Sequence, residues 1–105
     1  MDIDISSVEP REIIPGYKAR FIHSETMTTA FWEVEAGAEI PMHSHMHEQL
    51  SMITEGEFEM TIGGNTKIYR PGGIIVIPSN VEHCGKAITN CRITDVFCPV
   101  REDYI

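Results

Sequence analysis

Apolar and polar side chains alternate along short stretches of this chain with a period of two. Glu57–Ile62 is the cleanest case. Phe58, Met60 and Ile62 fall on one side, and Glu57, Glu59 and Thr61 on the other, as in a strand with one face against a core. Tyr17–His23, Thr28–Glu35, Leu50–Thr54, Thr66–Tyr69, Lys86–Ile88 and Cys91–Phe97 read as strands too, and Phe31 and Trp32 strengthen the second of these. Ile40–Met46 reads as extended. Ile74–Ile77 is a continuous apolar run stopped by Pro78, which predicts a buried strand. Turn signals lie between these runs. Gly63-Gly64-Asn65 predicts a hairpin, because glycine reaches positive φ at little cost. Pro71-Gly72-Gly73 and Glu55-Gly56 mark further turns. No stretch keeps a helical period. Short strands separated by turns predict an all-β sandwich or small barrel over residues 17–105. Residues 1–16, with Pro10, Pro15 and Gly16, read as an N-terminal arm or edge strand.

Length narrows this picture to one domain, since 105 residues do not hold two independent cores. Eight Lys and Arg against sixteen Asp and Glu give a formal charge of −8. That balance argues against a nucleic-acid binder and against attachment to anionic lipid. Cys84, Cys91 and Cys98 are odd in number and form no C-x-x-C pair, which predicts reduced thiols and a cytoplasmic setting. No basic-then-apolar leader opens the sequence at Met1-Asp2-Ile3-Asp4.

The candidate chemistry lies in the histidines. Three of the five fall in His43-Ser44-His45-Met46-His47. On a strand, His43 and His45 share a face and can chelate one ion. A pair of this kind also occurs as a plain surface feature, and two imidazoles need a third ligand from elsewhere. His83, just after the Ile74–Ile77 run and the Pro78 turn, is the natural source. His47 is left outside the ligand set. His23 is read as structural or solvent-exposed. Cys91 and Cys98 are read as packing thiols, Cys84 as a non-ligand near the metal mouth, and the six methionines as core filling.

The spacing around these histidines resembles the cupin family, antiparallel β-barrels of the jelly-roll type. The family's first motif is G-x5-H-x-H-x3-E-x6-G. Here Gly37, His43, His45 and Gly56 occupy its slots, with Gln49 in place of Glu. The second motif is G-x5-P-x-G-x2-H-x3-N. Gly72, Pro78 and His83 match it, while Asn80 and Ala87 depart. The resemblance spans residues 37–87 and implies one divalent transition metal ion (Ni, Fe, Mn, Zn or Co) held by His43, His45, Gln49 and His83. An amide in the fourth slot leaves the site one unit more positive than a carboxylate would, and so a stronger Lewis acid.

Three runs resemble the pectin-degradation members of that family: His43 to Gln49, Glu55 to Gly64, and Thr94 to Asp103. Those members linearise 4,5-unsaturated monouronates from pectin or alginate to 5-keto-4-deoxyuronate. The resemblance implies catalytic roles for Asp95, Phe97 and Arg101, a carboxylated sugar as substrate, and a homodimer to which the N-terminal arm contributes. The residues themselves leave alternatives. In Cys91–Phe97 one phase turns Asp95 inward with Ile93 and Phe97; the other leaves it a solvated edge residue. Arg101 reads as a carboxylate clamp or as a surface ion pair with Glu102 or Asp103. A metal-dependent cupin dioxygenase and a non-catalytic sugar-binding cupin are the alternative functions.

Overall fold

In a computed structural model describing Met1–Ile105, ten strands alternate with tight turns. They are β1 (Arg11–Ile14), β2 (Tyr17–His23), β3 (Thr28–Val34), β4 (Glu39–His43) and β5 (Glu48–Glu55), followed by β6 (Phe58–Ile62), β7 (Asn65–Tyr69), β8 (Ile74–Ile77), β9 (His83–Ala87) and β10 (Cys91–Cys98). One antiparallel sheet runs β1-β2-β3-β10-β5-β8 and the other β4-β9-β6-β7. Their inner faces enclose one core, and the architecture is a jelly-roll barrel. The arm contains a short 3-10 turn at Ile5–Ser7, and β1 then pairs with β2 as the edge of the larger sheet.

Alternation decides what the core receives. β2 supplies Tyr17, Ala19 and Phe21, and β3 supplies Ala30, Trp32 and Val34; β10 supplies Cys91, Ile93 and Phe97. The β6–β7 hairpin closes through Gly63 and Gly64, with φ of 52° and 85°. Two consecutive positive φ values make the turn whose twist suits paired strands. Gly85 has a different purpose: a Cβ there would come within 2.5 Å of the Phe58 ring, so its lack of a side chain leaves room for that ring against β9.

Several expectations need correction. Ile74–Ile77 is not wholly buried: Ile75 and Ile77 face the core while Ile74 and Val76 are 65 % and 58 % exposed. β8 joins an antiparallel sheet that packs on the core with one face only, so every second side chain faces out. The extended stretch ends at His43 instead of Met46, and β9 begins at His83 instead of Lys86. Met60 alone among the methionines is buried, because the others sit on outward phases or in loops. Cys91 is buried as expected, but Cys98 points outward from the end of β10 and is exposed.

Candidate metal centre

The barrel mouth gathers His43, His45 and His83, whose potential ligand atoms all lie within 4.8 Å of one another. The three arrive by different routes. His43 and His83 are cross-strand partners on β4 and β9, with ring centroids 4.1 Å apart. His45 is not on a strand. The chain leaves β4 after His43, and the following turn brings the His45 ring to 5.0 Å from His83 and 5.7 Å from His43. The expected shared strand face for His43 and His45 is therefore replaced by a turn that reaches the same convergence.

Each imidazole is oriented by a backbone carbonyl. His43 Nδ1 lies 2.8 Å from Pro41 O, His45 Nδ1 3.0 Å from His47 O, and His83 Nδ1 2.9 Å from Val81 O. A proton on Nδ1 meets each carbonyl and leaves Nε2 as a lone pair, the tautomer that a metal takes. His83 Nε2 is buried with no hydrogen-bond partner. His45 Nε2 sits 3.1 Å from Gln49 Oε1, while the Gln49 amide nitrogen donates to Ser51 Oγ at 3.2 Å. Two acceptor atoms thus face one another, an arrangement that a shared cation resolves. Three Nε2 lone pairs and an amide oxygen fit a divalent transition ion. Burial, reinforced by the charges of neighbouring His43, His45 and Arg101, pulls His83 down to about 4; burial and the Arg101 charge lower His45 as well. Both rings are therefore neutral, ligand-ready bases at neutral pH.

Gln49 leads inward to a buried acid. Ser51, two residues on along β5 and on the same face, donates its hydroxyl to Asp95 Oδ1. Asp95 adopts the inward of its two phases and is 7 % exposed. Burial pushes its carboxyl up to about 6, against the opposing pull of the Ser51 and Gln49 donors. Ser51 was not among the candidates, although period-two alternation from Gln49 points to it.

Phe97 is buried, with its ring edge-on to His45 at 5.8 Å. Beyond β10 the chain doubles back, and the Arg101 N–H donates to Thr28 Oγ1 at 2.9 Å. The Arg101 guanidinium lies 4.7 Å above the Phe97 ring and 4.3 Å from the Tyr104 ring centroid. It pairs with Asp103 through Nε at 3.0 Å and Nη2 at 2.8 Å, using two of its five donors. The ion pair with Asp103 is thus present, but Arg101 is 8 % exposed and not a surface residue.

One cavity touches His43, Gln49, His83, Asp95, Phe97 and Arg101 together. Cys84 also lines it without joining the imidazole cluster. His47 lies 5.5 Å from the His45 ring but outside the convergent cluster, with Nε2 at 3.2 Å from Val100 O. His23 binds Thr28 Oγ1 through Nδ1 at 2.8 Å, so its role is structural.

A family model described as "Cupin domain" matches residues 30–97. The fold superimposes on an RmlC-like cupin from Shewanella frigidimarina NCIMB 400 with a TM-score of 0.91 and 29 % identity, covering 95 % of this chain and 91 % of that one. KdgF from Halomonas sp. gives a TM-score of 0.87 at 24 % identity over 92 % and 91 % of the two chains. An uncharacterised protein of Streptomyces coelicolor is 22 % identical over 85 residues, 80 % of this chain and 81 % of its own length. Asn80 fits the same pattern: it fills the motif's second glycine slot at φ 65°, and asparagine is among the few residues that visit that region readily.

Proposed function

The chain belongs to the cupin domain family, and on that premise we propose that it is a metal-dependent enzyme linearising 4,5-unsaturated monouronates to 5-keto-4-deoxyuronate. The observation that carries this reading is a single cavity touched by imidazoles of the ligand cluster, a buried carboxyl and a buried guanidinium. A carboxylated sugar offers matching chemistry to all three.

The reaction is an isomerisation. The anomeric hydroxyl loses a proton, the bond from C1 to the ring oxygen breaks, and C1 becomes a carbonyl. The ring oxygen keeps the electron pair as the enolate of C5, and C4 gains a proton. No oxidant or external nucleophile enters. A bound divalent ion would supply Lewis-acid stabilisation of the enolate-like charge. Asp95, raised to about 6, exchanges a proton close to neutral pH and so suits the general acid/base that delivers one to C4. Ser51 orients that carboxyl through its hydroxyl. Arg101 has donors left after Asp103 to clamp the substrate carboxylate, and Phe97 shapes the wall beside it.

The test follows the conjugated double bond by ultraviolet absorbance, using unsaturated galacturonate made with a lyase and a hydrolase. Loss much faster than the spontaneous rate, abolished by EDTA and by Asp95→Ala, is the expected result. Binding without turnover would favour a sugar-binding cupin, and oxygen uptake a dioxygenase.

The outer face of the larger sheet supports a homodimer. Phe31, Met52 and Ile74 lie along one cross-strand row, and Val96, Leu50 and Val76 along the next. Phe31, Leu50, Ile74 and Val76 are exposed, and none of these six side chains is charged. Four strands about 4.8 Å apart and two rows about 6.8 Å apart give this face about 20 Å by 14 Å, or about 280 Å² per copy. Two copies bury about 560 Å² here, and the surrounding rim supplies the remainder of the roughly 1,000 Å² that a specific interface needs. Two chains of charge −8 can meet here without opposing like charges, which favours a second copy as occupant. The three free thiols suit a reducing, cytoplasmic setting, and no helix is long and apolar enough to cross a membrane.

A further inference from the structure

Position 49 holds Gln where the cupin motif has Glu. A carboxylate has two equivalent oxygens, but an amide has two different ends, and only its oxygen can ligate a metal. The surroundings of Gln49 must therefore decide which end faces His43, His45 and His83.

Strand register supplies those surroundings. On one side β8 sets Ile77 beside Gln49 and Ile75 beside Ser51, both buried and apolar. On the other side β10 sets Phe97 opposite Gln49 and Asp95 opposite Ser51. Gln49, Ser51 and Asp95 are all buried, so their polar atoms need partners within the protein.

The available hydrogens allow one arrangement. An ionised Asp95 only accepts, and it takes the single hydroxyl hydrogen of Ser51 on Oδ1. The Ser51 oxygen is left with lone pairs, and it accepts from Gln49 Nε2 at 3.2 Å. With its nitrogen committed inward, the amide turns Oε1 toward the histidines, 3.1 Å from His45 Nε2. The direction of each link follows from the one before it, starting at Asp95.

A carboxylate at position 49 would break this sequence, because it has no hydrogen to give. Its inner oxygen would meet a hydroxyl whose one hydrogen already serves Asp95. Two buried carboxylates would then compete for that hydrogen, leaving one acceptor unmet and like charges facing each other.

We propose that Ser51, its hydroxyl turned by Asp95, is a positioning residue for the metal: it holds the Gln49 amide with the oxygen toward the ion, and the Ser51–Asp95 pair is what suits this slot to Gln in place of Glu. The inference rests on the four-ligand metal site and is independent of the substrate.

The test is Ni²⁺ affinity, measured on the full chain by competition with a chromophoric chelator at pH 8, where Asp95 is ionised. Ser51→Ala should weaken Ni²⁺ by about tenfold. In a Gln49→Glu background the same change should not weaken it, since a carboxylate presents an oxygen whichever way it lies. A general loosening of the barrel would weaken both chains alike. Gln49→Glu should also raise Ni²⁺ affinity by about tenfold more in an Asp95→Asn background than in the wild type. An equal loss from Ser51→Ala in both backgrounds, or no loss in either, would overturn the proposal. So would effects of Gln49→Glu and Asp95→Asn that multiply independently to within about twofold. A wild type that binds no Ni²⁺ would overturn the metal site together with it.

Discussion

Replacing Asp95 by Asn should make the metal-free protein more stable at neutral pH, by an amount that depends on pH. The Asp95 carboxyl is raised from 3.8 to about 6 by burial. The unfolded chain loses this proton near pH 4, and the folded chain keeps it until about pH 6. Below pH 4 the group is protonated in both states and costs nothing. Between pH 4 and 6 the folded state binds the extra proton, so stability falls as pH rises, and above pH 6 the full cost remains. Two pH units correspond to about 3 kcal/mol. For a domain of this size that is about 12 °C in melting temperature.

Asn keeps an acceptor for the Ser51 hydroxyl and removes the charge. His45 and His83 complicate the wild-type curve with the opposite sign. Their lowered values mean that the unfolded chain binds more protons below pH 6.5, so they add stability as pH rises. Both proteins share that contribution, and the difference between them isolates Asp95. Thermal melts in EDTA from pH 4 to 8 should show Asp95→Asn gaining over the wild type from about pH 4 and levelling above pH 6. A difference that is constant over this range, or a variant less stable at pH 7, would refute a buried carboxyl that ionises at a cost.

His83→Ala should lose the metal, read as a fall from one bound ion per chain to none by elemental analysis, with the far-ultraviolet dichroism unchanged. Arg101→Lys removes the two-bond pair with Asp103 and the planar clamp, so kcat/KM on the unsaturated uronate should drop by about 100-fold, roughly 3 kcal/mol. Gly85→Ala puts a methyl 2.5 Å from the Phe58 ring and should cost about 1–3 kcal/mol in denaturant unfolding. Leu50→Glu with Val76→Glu should turn a dimer into a monomer by sedimentation while the melting curve of the barrel stays cooperative; a wild-type chain that sediments as a monomer at high concentration would contradict the dimer.

Much of this protein is legible in its amino-acid order because strand alternation, turn glycines and ligand spacing are local signals. Phe58, Met60 and Ile62 announce β6, and Gly63-Gly64 announces the hairpin that follows. The spacing of His43, His45, Gln49 and His83 carries the resemblance to cupins before any coordinate is known.

Other features were decided only in three dimensions. A period of two has two phases; Ile93 and Phe97 point to the one that turns Asp95 inward, but they leave the reverse open, and only pairing with flanking strands β3 and β5 fixes it. Ile74–Ile77 reads as buried on both sides because its composition is uniformly apolar, yet the sheet it joins covers the core with one face only and leaves the other in solvent. His43 and His83 meet because β4 pairs with β9, a long-range register, and His45 joins them from a turn. That the buried Tyr17 hydroxyl lacks a hydrogen-bond partner is likewise a tertiary fact. Whether a donor has a partner depends on every element that surrounds it, and a residue's own neighbours in the chain do not carry that information.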